Sequence, residues 1–234
     1  MRHKPIKSKL FVQNRRRIAA RMDSKALAVV NANDILPTNA DGTLPMQPNA
    51  DMFFLTGIEQ EESVLVLFPD AADEKQREIL FVRQPSEHLQ IWEGYKHTKD
   101  DARKISGIKN IKWLSEFPVL FRSLMCEAES AYLNSNEYKR ANVEVETRDM
   151  RFIRQCQTDF PLHQYRRLAP LLHELRVVKT DLEIELLKEA VDITAKGFRR
   201  TLKFVKPGVM EYEVEAELAR EFIKLRGKFA YTPI

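Results

Sequence analysis

The sequence predicts a mixed α/β domain followed by a pair of long amphipathic helices. Short apolar runs alternate with polar, helix-forming stretches through the first half, the pattern of strands interleaved with helices. Val64 to Phe68 is an unbroken apolar run closed by Pro69, which suits a central strand covered on both faces. From Thr180 onward the apolar residues switch to helical spacing.

Taken in order, the start is crowded with cations, and a solvated segment leading into a surface helix over 13–22 is expected there. Leu27 to Val30 is the first strand. It runs into a loop over 31–50 that holds Pro37, Asp41-Gly42, Pro45 and Pro48, all turn formers. Phe53-Phe54-Leu55 reads as a second strand, ended by Thr56-Gly57, and Val64 to Phe68 as the third. After a solvated turn over 73–77, Ile79 to Val82 is the fourth. Ile111 to Leu114 is the fifth and Ala131 to Leu133 the sixth. A helix over 99–105 stops at Gly107. A second, with Ser115 as its cap, places Val119, Leu120, Leu124 and Met125 on one face. A third spans 147–157, with Thr147 as its cap.

Thr180-Asp181-Leu182-Glu183 has the form of a capping box. Ile184, Leu187, Val191, Ala195, Phe198, Leu202 and Val205 then recur along one side of a long helix that Pro207-Gly208 stops. A second helix, over 211–226, carries Val214, Leu218, Phe222 and Leu225 and ends at Gly227. Two helices cannot enclose a core of their own, because so small a unit buries too little surface. A covering sheet beyond Ile234 is the expectation.

Composition narrows the function classes. The chain is 44% hydrophobic and 31% charged over 234 residues, as in an ordinary folded protein. No run approaches the ~18 consecutive apolar residues of a membrane span, and no apolar core follows the basic start as in a signal peptide. Cys126 and Cys156 have neither disulfide-framework nor zinc spacing, which points to idle thiols in a reducing cytoplasm. The basic start could form a nucleic-acid patch, but Phe11 is the lone aromatic there, too few to stack bases.

No GxGxxG, P-loop, HExxH or GxSxG motif is present. His3, His88, His97, His163 and His173 lack metal spacing and read as surface residues. Glu59, Glu61 and Glu62 form an acidic cluster ahead of the third strand and read as a solvated turn.

Three stretches carry a family resemblance. Residues 47–57, from Gln47-Pro48-Asn49 to Leu55-Thr56-Gly57, with Ser63-Val64-Leu65-Val66-Leu67, resemble the amino-terminal domain of the Xaa-Pro aminopeptidases (aminopeptidase P). Gln90-Ile91-Trp92-Glu93-Gly94-Tyr95-Lys96 resembles that domain's Ile-Trp-x-Gly segment. Pro170 to Arg176, Lys179-Thr180, Glu183-Ile184, Pro207-Gly208 and Glu211-Tyr212 resemble the junction into a pita-bread peptidase domain and its continuation. The resemblance implies a creatinase-like amino-terminal domain over 1–176 with a mixed sheet, and the start of a pita-bread domain over 177–234.

It further implies an enzyme that releases the first residue from peptides with proline second. Two divalent ions, manganese by preference, activate a bridging water in that family. Its ligand set of Asp, His and Glu would follow Ile234, so no catalytic residue and no metal ligand is assigned in this chain, and none of its own residues is expected to bind the ions. Trp92 matches a tryptophan that reaches a neighbouring subunit's active site in bacterial members. A rigid apolar ring can stack on proline, and a half-buried structural tryptophan is the alternative. Lys96 stands where an arginine is common, which would weaken bidentate carboxylate contact. Arg154 is the best match to an arginine that reaches the site in some members, with Arg151, Arg166 and Arg167 nearby, and a surface helix arginine is the alternative. Proline-containing peptides and a second copy of the chain, joined through the first domain, are the implied partners, with no membrane or nucleic acid. Two other readings stand beside this one: a non-catalytic relative that binds peptides or histones, and a close relative acting as an X-Pro dipeptidase or creatinase.

Overall fold

The computed structural model describes residues 3–141 and 144–231. The chain packs as two compact units, one over Ile6–Val178 and the other joining Lys179 onward to the residues up to Pro5.

The first unit is built on a six-stranded mixed sheet in the order β4-β3-β2-β1-β5-β6. The strands are β1 (Ala26–Asn31), β2 (Val64–Leu67), β3 (Glu78–Val82), β4 (Asn110–Trp113), β5 (Ser130–Leu133) and β6 (Gln164–Arg167). β2 runs antiparallel to both β1 and β3, and every other pairing is parallel. Alternation along β1 separates two cores. Ala28 and Val30 face one side with Leu65, Leu80 and Leu172, while Leu27 and Val29 face the other with Val66, Phe81 and Leu124. All four residues of β2 are buried, as the unbroken apolar run implies for a strand covered on both faces.

Helices α1 (Ser8–Ala19), α2 (Ala50–Thr56), α4 (Lys99–Ser106) and α7 (Ala169–Val177) contribute to the first core. α5 (Phe117–Glu127) and α6 (Arg148–Asp159) supply the second, where Phe117, Phe121, Phe152 and Phe160 make a chain of ring contacts 5.1–6.0 Å apart. α3 (Glu87–Glu93) belongs to neither.

Phe53-Phe54-Leu55 is not a strand but the middle of α2. Asn49 decides this locally: its side-chain oxygen accepts from the backbone N–H groups of Asp51 and Met52, satisfying orphan donors of the first turn. Gly57 closes the helix at φ 70°, where a Cβ would also stand 2.4 Å from the Phe11 ring. The sixth strand of the sheet is instead β6, whose polar sequence Gln-Tyr-Arg-Arg gives no apolar signal.

The basic start departs from expectation as well. α1 begins at Ser8 and buries Leu10, Phe11, Asn14, Arg15 and Ile18. The Arg15 guanidinium is wholly enclosed: it donates to Leu55 O at 2.7 Å and Ser106 O at 3.0 Å and lies 3.2 Å from Glu78. Asn14 donates to Phe54 O, so two polar residues of α1 satisfy carbonyls of α2. Ser115 does not cap α5. It lies in a 3-10 turn, and Pro118 occupies the first turn of the helix, leaving Val119 exposed. α4 and α6 begin on Thr98 and Thr147 side-chain caps.

In the second unit, α8 (Asp181–Phe204) starts on the expected capping box, and α9 (Glu211–Lys224) follows. Gly197 lets the pair approach, since a Cβ there would meet Phe222 at 2.9 Å, and Arg200 pairs with Glu217. The apolar stripe of α8 remains open: Leu187, Val191, Phe198 and Leu202 are all exposed, Leu202 by 77%.

Candidate functional site

The strand registers bring the carboxyl ends of β1, β3, β4, β5 and β6 and the amino end of β2 to one edge of the sheet. In open α/β sheets that edge is where ligands usually sit, because loops there can converge without breaking the ladders. Both residues singled out from the sequence lie on helices that follow strands ending at this edge.

Trp92 is on α3, the helix after β3, with Ile91 beside it and Tyr95 just beyond. It is 77% exposed, Ile91 69% and Tyr95 66%, so the half-buried structural role does not hold within this chain. The His88 ring lies 6.5 Å from it. Gly94 ends α3 at φ 81°, ψ −169°, a conformation open essentially to glycine alone, and no atom would crowd a Cβ there.

Next to Trp92 lies a knot of charge. Glu93 accepts from both terminal nitrogens of Arg83, at 2.8 and 3.3 Å, and stands 3.1 Å from Lys96 Nζ. Lys96 donates to Glu61 Oε1 at 2.5 Å, and Arg83 donates to the same oxygen at 3.2 Å. Gln60 accepts from the His97 backbone N–H at 2.7 Å. Glu61 is thus no solvated turn: its side chain is 8% exposed and that of Lys96 7%. Salt bridges to Lys96 and Arg83 hold the Glu93 carboxyl below its usual range against the opposing effect of burial. Removing one partner of so enclosed a pair typically costs ~3–5 kcal/mol, because the other charge stays buried alone. The Lys96 ammonium reaches two carboxylates at once.

Arg154, on α6 after β5, has an exposed side chain paired with Glu146 at 2.7 Å. β3 and β5 are separated by β2 and β1, three inter-strand steps or roughly 14 Å. Trp92 and Arg154 thus lie on helices that follow strands three steps apart. Arg151 pairs with Asp34, Arg167 with Glu137 and Arg166 with Asp23. Nearer the sheet, Asn31 donates to Asp149 at 2.9 Å, and Arg148 reaches the carbonyls of Ala32 and Glu62. Burial pushes the Asp149 carboxyl up to about 6, the Asn31 hydrogen bond and Arg148 opposing it while Asp51 and Asp34 add to it. Asp51 is itself held by Arg176 at 2.5 Å and Asn134 at 3.0 Å.

No three His, Cys, Asp or Glu side chains among the described residues are placed to hold a metal ion. His97 is buried rather than on the surface, and burial pushes its pKa down. Cys126 is exposed; Cys156 is buried in the aromatic core, which pushes its thiol up to about 12 and leaves it inert. No helix among the described residues is long and apolar enough to cross a membrane.

The sequence offers Glu61 only as part of an acidic cluster read as a solvated turn, and it does not single out Arg83 or Asp149. Glu61 and Arg83 flank buried strands, and only an alternation count that treats them as interior positions would have drawn notice.

Comparison with known proteins gives a consistent answer. Residues 11–133 match the family described as aminopeptidase P, N-terminal domain, and residues 185–234 match metallopeptidase family M24. The chain is similar to the Xaa-Pro aminopeptidase of Escherichia coli K12, at 27% identity over 91% of this chain and 48% of the relative. It is also similar to a mitochondrial intermediate cleaving peptidase 55 of Arabidopsis thaliana, at 21% identity over 98% of this chain and 44% of the relative. Among solved structures, Escherichia coli aminopeptidase P with the inhibitor Pro-Leu superposes with a TM-score of 0.75 at 27% identity, covering 94% of this chain and 50% of that one. The Pseudomonas aeruginosa aminopeptidase PepP gives 0.78 at 23% identity, covering 96% and 50%, and supports the fold. The chain spans about half the length of these relatives.

Proposed function

The chain belongs to the aminopeptidase P family, and from that premise we propose that it is the amino-terminal portion of a metal-dependent enzyme releasing the first residue of peptides with proline second. On this reading 1–176 is the creatinase-like domain and 177–234 the opening of the pita-bread peptidase domain. The divalent ions, manganese by preference, are held by the family's Asp, His and Glu ligands, none of which is assigned to a residue of this chain. The enzyme works on peptides in the cytoplasm as a homo-oligomer assembled through the first domain.

The exposed indole of Trp92 carries the reading. A tryptophan 77% open to water, next to an open Ile91 and Tyr95, leaves a large apolar area unsatisfied in the isolated chain. Its flat face suits the ring of a substrate proline at the entrance to a neighbouring subunit's active site. Arg154, whose solvent-screened ion pair with Glu146 is weak, supplies a cation that can turn to a peptide carboxylate.

The decisive measurement is kcat/KM of the full-length enzyme on a dipeptide-proline substrate. Trp92→Ala is expected to lower it about tenfold or more, mostly through KM. An unchanged value removes Trp92 from the substrate path.

A further inference from the structure

α3 has an attachment that its apolar residues do not explain. Helices ordinarily dock by burying an apolar stripe, yet none of the seven residues of α3 is buried. Its ends do the holding. At the amino end, Ser86 Oγ accepts from the Leu89 N–H at 3.2 Å. At the carboxyl end, Glu93 enters the knot with Arg83 and Lys96, and both cations converge on the one enclosed oxygen of Glu61. Glu61 precedes β2 and Arg83 follows β3, so the knot is anchored on two central strands. Lys96 lies two residues past Gly94 and is nine-tenths enclosed.

An ammonium in that position must be matched by carboxylates, and the match fixes geometry as well as charge. Moving α3 by a few ångströms would separate Glu93 from both cations and leave Lys96 and Arg83 to share Glu61, with Glu62 3.7 Å from Arg83 as the remaining carboxylate. A solvent-facing helix is thereby held to one orientation by a charge lock whose bolt lies beneath it.

We propose that Glu61, Arg83 and Lys96 are positioning residues that hold the Trp92 indole in place through Glu93. The functional consequence rests on the reading of Trp92 given above; the lock itself does not. Lys96→Arg keeps the cation and keeps the lock. Lys96→Met keeps the aliphatic stem and loses it.

The test reads Trp92 directly. The protein has two tryptophans, so a Trp113→Phe background leaves Trp92 as the one tryptophan, read by excitation at the red edge where tyrosine does not absorb. In that background Lys96→Met is expected to raise the amplitude of the nanosecond anisotropy decay about twofold, and Lys96→Arg to restore it. Arg83→Gln, at a less enclosed position, is the second probe should Lys96→Met fold poorly by circular dichroism. Unchanged decays in the folded Lys96→Met variant, or in Arg83→Gln where the first does not fold, overturn the proposal. So does Lys96→Arg behaving like Lys96→Met. In the full-length enzyme Lys96→Met should raise KM about tenfold with kcat nearly kept. A loosened Trp92 in an enzyme indifferent to Trp92→Ala upholds the lock and rejects the substrate reading, so the two fail separately.

Discussion

α1 and α8 are both amphipathic helices rich in cations, yet their fates differ. α1 buries five of its twelve residues, Arg15 among them, whereas α8 buries only Gly197 of its twenty-four. Helical periodicity is equally plain in both. What separates them is the surface on offer: α1 packs into a core backed by a six-stranded sheet, while α9 is the one other helix among the described residues of α8's unit. Amphipathicity marks a face that can be buried, and only a partner layer of sufficient area buries it.

Substitutions can break or sharpen that contrast. The largest effect is expected at Arg15. Arg15→Met leaves Leu55 O and Ser106 O without their donor in a closed site, and should lower stability in urea by ~3–5 kcal/mol. A loss below about 1 kcal/mol would mean that water reaches the site and that α1 is less enclosed than it looks. Next comes a matched pair. Leu172→Ala in the sheet-backed core should cost ~2–5 kcal/mol, whereas Leu202→Ala on the open stripe of α8 should stay within about 0.5 kcal/mol. Equal losses would erase the distinction between the units.

Asp149 gives a smaller, pH-dependent effect. Its carboxyl rises from 3.8 to about 6 in the folded chain, which therefore holds the proton more tightly than the unfolded chain does. Stability then falls as pH climbs between about 4 and 6 and stays lowered above that window. Asp149→Asn keeps the acceptor for Asn31 and should add ~2–3 kcal/mol at pH 7, a gain that fades by pH 4. Parallel denaturation curves at the two pH values check both sign and window.

Much of the architecture is legible in the sequence where one signal dominates. Val64 to Leu67 declares a doubly covered strand, and the Thr180 capping box declares the start of α8. Legibility fails where two signals compete. Phe53-Phe54-Leu55 has strand composition, but the Asn49 cap and the Gly57 stop enclose it within seven helical residues, and local capping wins. β6 is read only through its neighbour β5, since two arginines on an outer strand leave no alternation to see. The Ile-Trp-x-Gly segment points to Trp92 from sequence alone. The support beneath it is hidden, because Glu61 and Lys96 are thirty-five positions apart and nothing in the sequence pairs them until the fold joins them.

Gly94 offers a handle of another kind. Its backbone at φ 81°, ψ −169° is the mirror image of an ordinary extended residue, and the space around it is empty. The demand there is for handedness alone, not for smallness. A D-alanine introduced by chemical ligation would fit without strain and would restrict the unfolded chain, whereas L-alanine in the same slot would be forced against its own stereochemistry.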